Sequence, residues 1–307
     1  MSLQVIFLGT AASIPTPSRA LSAVAVKREG EVLLFDCGEG TQRQMIQARI
    51  GFNRKTKILI THMHGDHVLG IPGIVQTMSL LGRDKPLEIF GPPGIKAFLE
   101  AVVQTVRFYL SFQVKVYEIS NEGSVCEEKG YQVQTVRADH PGPALAYALT
   151  ETPRPGRFHP ERAISLGVPK GPLWSQLQHG HEVELADGRK VKPQQVLDPL
   201  RSGRKIVYTG DTSPSEKIIN LARDADVLIH EATFADDLME RAAEEGHSTA
   251  SQAADVARKA GVELLVLTHI SSRYDDAELL LEEARAIFPD TRVAEDFMKI
   301  DVPLHKE

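Results

Sequence analysis

Only two cysteines, Cys37 and Cys126, occur in 307 residues. Neither a disulfide framework nor a thiolate cluster can therefore organise the chain, and any metal site must be built from histidine and carboxylate. So little cysteine also points to a reducing compartment, by default the cytoplasm. Long apolar runs are missing too: none reaches the roughly 18 residues that a membrane span needs. The first apolar run, Val5-Ile6-Phe7-Leu8, has no Lys or Arg before it and breaks at Gly9, unlike a signal peptide. Positive charge is not in excess, since 35 Lys and Arg face 41 Asp and Glu for a net charge of −6. Gripping nucleic acid with the whole surface is thereby excluded, while a local basic patch remains open. The balance of 42% hydrophobic and 25% charged residues is that of a folded globular chain, which excludes disorder, collagen and coiled coil.

The pattern along the chain is a mixture of strand and helix. Short apolar runs at residues 5–8, 23–26, 32–35, 58–60, 87–90, 114–119 and 133–136 predict strands, and segments of helical period at 41–49, 71–81 and 95–106 predict helices between them. The second half repeats this grammar with strands at 206–208, 227–229 and 264–267 and helices at about 213–223, 248–260 and 276–287. Leu59-Ile60-Thr61-His62 and Val266-Leu267-Thr268-His269 both set Thr-His after an apolar strand, weak support for two related halves. Residues 151–198 differ, with Pro153, Pro155, Pro160, Pro169 and Pro172 crowded among glycines. They hold seven Lys or Arg against six Asp or Glu, a slight positive balance in an acidic chain. This segment is expected to contribute little core and to form a flexible arm inserted into a single domain of residues 1–307.

The chemistry concentrates at His62-Met63-His64-Gly65-Asp66-His67, four metal-ligating side chains in six residues directly after a strand. A loop at a strand end can aim them at one point, and imidazole with carboxylate is a good zinc donor set. The arrangement HxHxDH after a strand resembles the hallmark of the metallo-β-lactamase superfamily. His140, Asp211 in Thr209-Gly210-Asp211-Thr212, and His269 follow later strands in the order in which that superfamily takes its remaining ligands. The resemblance implies a four-layer αβ/βα sandwich and two zinc ions per subunit. One ion would be held by His62, His64 and His140, the other by Asp66, His67 and His269, with Asp211 bridging. Asp36, after the strand 32–35, reads as a partner that orients a ligand histidine.

Narrower features resemble one family within that superfamily. His230-Glu231-Ala232-Thr233, His247-Ser248-Thr249, Gly171-Pro172-Leu173-Trp174 and Thr268-His269-Ile270-Ser271-Ser272-Arg273 are similar to elements of ribonuclease Z in its short form. These enzymes are endonucleases that process the 3′ end of tRNA. The likeness runs from Phe7-Leu8-Gly9-Thr10 to Asp296-Phe297. It implies removal of the 3′ trailer from precursor tRNA, leaving a 3′-hydroxyl on the tRNA and a 5′-phosphate on the trailer. Asp66 would then be general base as well as ligand, and His247, polarised by Glu231, the general acid for the leaving oxygen. Gly171 and Pro172 would belong to a tRNA-binding exosite in the arm, and Arg273 and Arg19 would contact substrate. The family's arrangement also implies a homodimer in which one subunit's arm reaches tRNA held by the other. One departure is plain: where the family has PxKxRN, this chain has Pro15-Thr16-Pro17-Ser18-Arg19-Ala20, without the Lys and Asn.

Each element also has a plain reading. Ser248 and Thr249 suit a helix cap, Glu231 suits an ordinary ion pair, and Gly171-Pro172 suits a turn. Two rival functions share these residues. A hydrolase of small phosphodiesters or other small esters would need every metal ligand but no basic arm, whereas a non-catalytic tRNA-binding protein would need the arm but no metal.

Overall fold

The computed structural model describes residues 2–107 and 109–305. They fall into two units, one of residues up to Leu149 with Lys205–Pro303, the other of Thr150–Arg204 with the residues from Leu304.

The larger unit is built on two seven-stranded sheets. The first runs in the order Lys299–Asp301, Leu3–Gly9, Ala23–Arg28, Glu31–Phe35, Lys55–Leu59, Leu87–Gly91, Val114–Glu118. The second runs Thr291–Val293, Leu264–Thr268, Val227–Glu231, Lys205–Tyr208, Leu145–Glu151, Tyr131–Arg137, Gly123–Glu128. Both sheets are mixed. From Glu31–Phe35 to Val114–Glu118 the first is parallel, and from Lys205–Tyr208 to Thr291–Val293 the second is parallel.

Strand periodicity explains the layers. Successive side chains point to opposite faces, and here both faces are covered, so the strands read as continuous apolar runs. Val5 and Phe7 face the second sheet, sharing a core with Tyr147, Ile206, Ile229 and Val266. Their neighbours Ile6 and Leu8 face outward, packing with Met45, Ile71, Ile74 and Ile95 of three helices, Thr41–Gln47, Ile71–Leu80 and Ile95–Val106. In the second sheet Val207, Leu228 and Leu265 face outward toward Glu216–Ala222, Ala250–Ala260 and Glu278–Ile287. The result is helix, sheet, sheet, helix, the expected sandwich. Each fully buried Val, Ile, Leu or Phe stabilises it by roughly 1.5–3 kcal/mol.

Two helices of the second half start slightly inside the expected bounds because short polar side chains cap them. Ser215 accepts from the Ile218 amide, so that helix begins at Glu216. Thr249 does the same for Gln252 within a capping box, so the next begins at Ala250. No helix among the described residues is long and apolar enough to cross a membrane.

The segment expected to be a flexible arm with little core has secondary structure and a small core of its own. Helices Pro160–Ser165 and Pro172–Gln178 and the hairpin Val183–Glu184 with Lys190–Val191 enclose Ala163, Val168, Leu177, Val183, Val191 and Val196. Its prolines mislead because two of them, Pro160 and Pro172, open helices, where the missing N–H is harmless. Its boundaries also differ: Glu151 ends a strand, and its carboxylate takes two hydrogen bonds from buried Arg204, at 2.7 and 2.9 Å. Leu177→Ala should remove about 2–5 kcal/mol from so small a core. Hydrogen exchange is expected to lose protection across 150–204 while the two sheets stay protected. Uniform loss over the whole chain would show instead that the segment has no stability of its own.

Candidate metal centre

Six strands end at one place. Asp36 follows Glu31–Phe35, His62 follows Lys55–Leu59, His140 follows Tyr131–Arg137, Asp211 follows Lys205–Tyr208, Glu231 closes Val227–Glu231, and His269 follows Leu264–Thr268. Carboxyl ends of parallel strands are where open αβ sheets gather their ligands. The short helix Gly65–Val68 adds Asp66 and His67. Two of these positions, Asp36 and His269, have positive φ, 56° and 57°. That sparsely populated backbone region is tolerated where surrounding structure holds it.

The side chains form two neighbouring donor groups. His62, His64, His140 and Asp211 present ligand atoms within 4.8 Å of one another, and so do Asp66, His67 and His269. Asp211 Oδ2 lies 3.5 Å from both His62 Nε2 and His67 Nε2, and its Oδ1 lies 3.4 Å from His269 Nε2. Asp211 therefore stands between the groups. Its buried Oδ1 has no hydrogen-bond partner, an orphan that a cation would satisfy. Gly210, at φ 59°, makes this approach possible, because a Cβ there would fall 2.7 Å from Thr61 Cβ.

Three of the clustered histidines have their Nδ1 atoms held by a partner. Carboxylates and carbonyls only accept, so His67 Nδ1 donates to Asp36 Oδ2 at 2.7 Å and His140 Nδ1 donates to the Gly246 carbonyl at 2.8 Å. The Thr61 hydroxyl donates to Asp36 at 2.9 Å, so His62 Nδ1 donates to Thr61 Oγ1 at 3.0 Å. In the neutral ring Nε2 is then the bare nitrogen on all three, and it faces inward. His64 is the exception, with Nδ1 facing His62 and His140 at 2.9 and 3.3 Å.

Electrostatics favour the ligand forms of His62 and Asp66, whereas at His67 burial is overcome by Asp211 and Asp36, which hold the imidazole well above its usual range. Burial and the neighbouring imidazoles push His62 down to about 2 against the pull of Asp211, keeping it neutral. Burial works to raise Asp66, but His269 and His67 hold it well below the usual carboxylate range. The Ser13 amide, in a residue at φ 53°, also donates to Asp66 Oδ2 at 2.9 Å.

Beside the ligands lies His247, its Nδ1 2.8 Å from Glu231 Oε1. Burial is the largest single influence and would lower its pKa, but Glu231, through its charge and its hydrogen bond, together with Asp211 and Glu245, raises it to about 9. The plain reading of this stretch also holds, since Thr249 is the helix cap; His247 is nonetheless turned toward the site. Arg273 is exposed, its guanidinium 4.7 Å from the Phe234 ring centroid. Arg19 is turned inward, donating to Thr10 Oγ1 at 2.8 Å and the Ala294 carbonyl at 2.6 Å. Gly171 and Pro172 begin a helix in the smaller unit. The supporting roles of Thr61, Tyr208 and Thr233, which hold His62, Asp36, Glu231 and His269 in place, were not readable in sequence, because no spacing marks a side-chain hydrogen bond made across the fold.

Residues 3–150 match the family model described as Anti-Pycsar protein Apyc1, and residues 176–270 match that of a beta-lactamase superfamily domain. The chain is 49% identical over 306 residues to a Ribonuclease Z of Methanosarcina acetivorans, covering 99% of this chain and all of that one. It is 48% identical over 304 residues to a Ribonuclease Z of Myxococcus xanthus, covering 98% of each. Among solved structures, human tRNase Z, short form, superposes with a TM-score of 0.73 at 31% identity, over 98% of this chain and all of that one.

Asp36→Asn should leave far-UV circular dichroism unchanged but weaken divalent-metal binding about 10- to 100-fold in titration calorimetry, because His67 loses its orienting carboxylate. Unchanged affinity would show that Asp36 does not orient the ligand. Two complementary donor groups at the strand ends of a metallo-β-lactamase fold, together with near full-length identity, lead to one conclusion: the chain belongs to the ribonuclease Z family.

Proposed function

We propose that the protein is a zinc-dependent endoribonuclease that removes the 3′ trailer from precursor tRNA, leaving a 3′-hydroxyl on the tRNA and a 5′-phosphate on the trailer. The observation that carries this reading is 49% identity to a Ribonuclease Z over 99% of the chain, the inserted unit included. The fold alone hosts many hydrolases.

The donor set suits zinc, being imidazole and carboxylate without thiolate. His62, His64 and His140 would hold one ion, Asp66, His67 and His269 the other, and Asp211 both. When bound, such a pair supplies Lewis acidity, activating water near neutral pH and offsetting negative charge that develops on phosphate. Asp66 orients the attacking water and accepts its proton. The leaving 3′-oxygen needs a proton in turn, and His247 supplies it from Nε2. Its Nδ1 is held by Glu231, so the ring cannot turn away. Glu231 is itself fixed by the Thr212 amide at 2.9 Å.

Arg273, exposed near the site, is available to a substrate phosphate. Arg19 would act mainly by bracing its own loop, since its guanidinium is spent on Thr10 and Ala294. The smaller unit, with Gly171 and Pro172 at a helix start and the exposed Arg157, Lys170, Arg189 and Lys190 along it, would bind tRNA through phosphate contacts, while Arg154 has its Nε and Nη2 turned inward. The proposed setting is the cytoplasm and the proposed state a homodimer, one subunit's insert reaching tRNA held by the other.

Labelled precursor tRNA should be cut at the discriminator and spared when a chelator is present; cutting unaffected by chelation would exclude the metal mechanism. His247→Ala should slow single-turnover cleavage about 10²- to 10⁴-fold while RNA affinity holds. A fall in affinity alone would make His247 a substrate contact. Replacing residues 155–195 by a short Gly/Ser linker should abolish precursor binding yet spare hydrolysis of a small phosphodiester. Equal loss of both would contradict the exosite reading.

A further inference from the structure

The Glu231 carboxylate is saturated. Its Oε1 accepts from the Thr212 amide at 2.9 Å and from His247 Nδ1 at 2.8 Å. Its Oε2 accepts from the Thr233 amide at 3.2 Å and the Thr233 hydroxyl at 2.7 Å. With four donors on two oxygens, the carboxylate has one orientation.

The Thr233 hydroxyl has a second neighbour. His269 Nδ1 lies 2.9 Å from Thr233 Oγ1. The hydroxyl proton is committed to Glu231, so the oxygen can only accept from His269, which must carry its proton on Nδ1. Nε2 of His269 is then the bare nitrogen, and it is the atom that lies 3.4 Å from Asp66 Oδ2 and from Asp211 Oδ1. Thr233 is 5% exposed and its contacts are shielded from water.

The same device occurs once more in the site. Thr61 donates its hydroxyl to Asp36 and accepts from His62 Nδ1 at 3.0 Å. Two ligand histidines, one after a strand of each sheet, are thus fixed in the same tautomer by a threonine leaning on a buried carboxylate. The two copies differ in the second histidine on the carboxylate: Asp36 holds His67, one of the metal-donor cluster, whereas Glu231 holds His247.

We propose that Thr233 is a positioning residue shared by the two working parts of the site: one hydroxyl fixes His269 as a ligand through Nε2 and locks the Glu231 carboxylate that aims His247. Metal retention and proton delivery are then coupled through a single side chain. The assignment of His247 as proton donor rests on the proposed function above; the hold on His269 does not.

Two substitutions in the full-length protein separate hydroxyl from methyl. Thr233→Val keeps the shape and loses the hydroxyl, whereas Thr233→Ser keeps the hydroxyl and loses the methyl. Thr233→Val should bind zinc about 10- to 100-fold more weakly in calorimetry. It should also slow single-turnover cleavage of precursor tRNA at least tenfold while RNA affinity changes less than about threefold. Thr233→Ser should recover both. Nitrogen NMR of the zinc-free protein should show the His269 proton on Nδ1 in the wild type and in Thr233→Ser, and a tautomer mixture in Thr233→Val. Unchanged zinc affinity and tautomer in Thr233→Val would overturn the proposal, and so would equal damage in both variants, which would point to packing. Failure of the wild type to cut precursor tRNA would count against the proposed function alone, because zinc affinity and tautomer would still decide the role of Thr233.

Discussion

The carboxylate of Asp36 is the contact on which the site depends. It is fully buried, and it accepts from the Thr61 amide and hydroxyl, His67 Nδ1 and the Tyr208 hydroxyl. Three of these donors belong to residues following one strand of the first sheet, and the fourth, Tyr208, ends a strand of the second. A single anion therefore ties the two sheets together at the edge where the ligands gather. A buried carboxylate is tolerable only when so fully satisfied. Satisfying it dictates where His67 points and, through Thr61, where His62 points.

From that constraint follows the division of labour around it. Four of the five clustered histidines, His62, His67, His140 and His269, can present Nε2 to a metal because their Nδ1 atoms are committed elsewhere, to Thr61, Asp36, the Gly246 carbonyl and Thr233. Partners of this kind fix ring orientation and raise ligand basicity. Glu231 repeats the role of Asp36 at the second sheet, with His247 in addition. A site held this way needs little reorganisation when charge develops, which is the condition under which preorganised groups stabilise a transition state.

The inserted unit obeys a different economy. It has its own small core of Ala163, Val168, Leu177, Val183, Val191 and Val196, and its prolines and glycines mark turns and helix starts. Composition suggested a flexible segment with little core, because punctuation this dense usually means loop. The elements are short, with helices of six and seven residues and strands of two. Such lengths leave little periodicity for a sequence window to detect.

The outer helices and the HxHxDH cluster were legible in the chain itself, while His140, Asp211 and His269 were singled out through the family resemblance. Alternating apolar runs, capped helices and a six-residue HxHxDH cluster are local patterns, set by side-chain direction and backbone chemistry within a few residues. The role of Asp36 was legible for the same reason, as a lone acid ending an apolar strand. Leu145–Glu151 and Gly123–Glu128 were not. The first is rich in alanine, and the second carries Glu127 and Glu128, so neither has the usual strand composition. The roles of Thr61, Tyr208 and Thr233 were hidden, because they lie in side-chain hydrogen bonds, one of them to a residue 172 positions away. Sequence determined which groups could bind metal. Tertiary structure alone decided which nitrogen of each histidine would face it, because a tautomer is chosen by the partner on the far side of the ring, and folding supplies that partner.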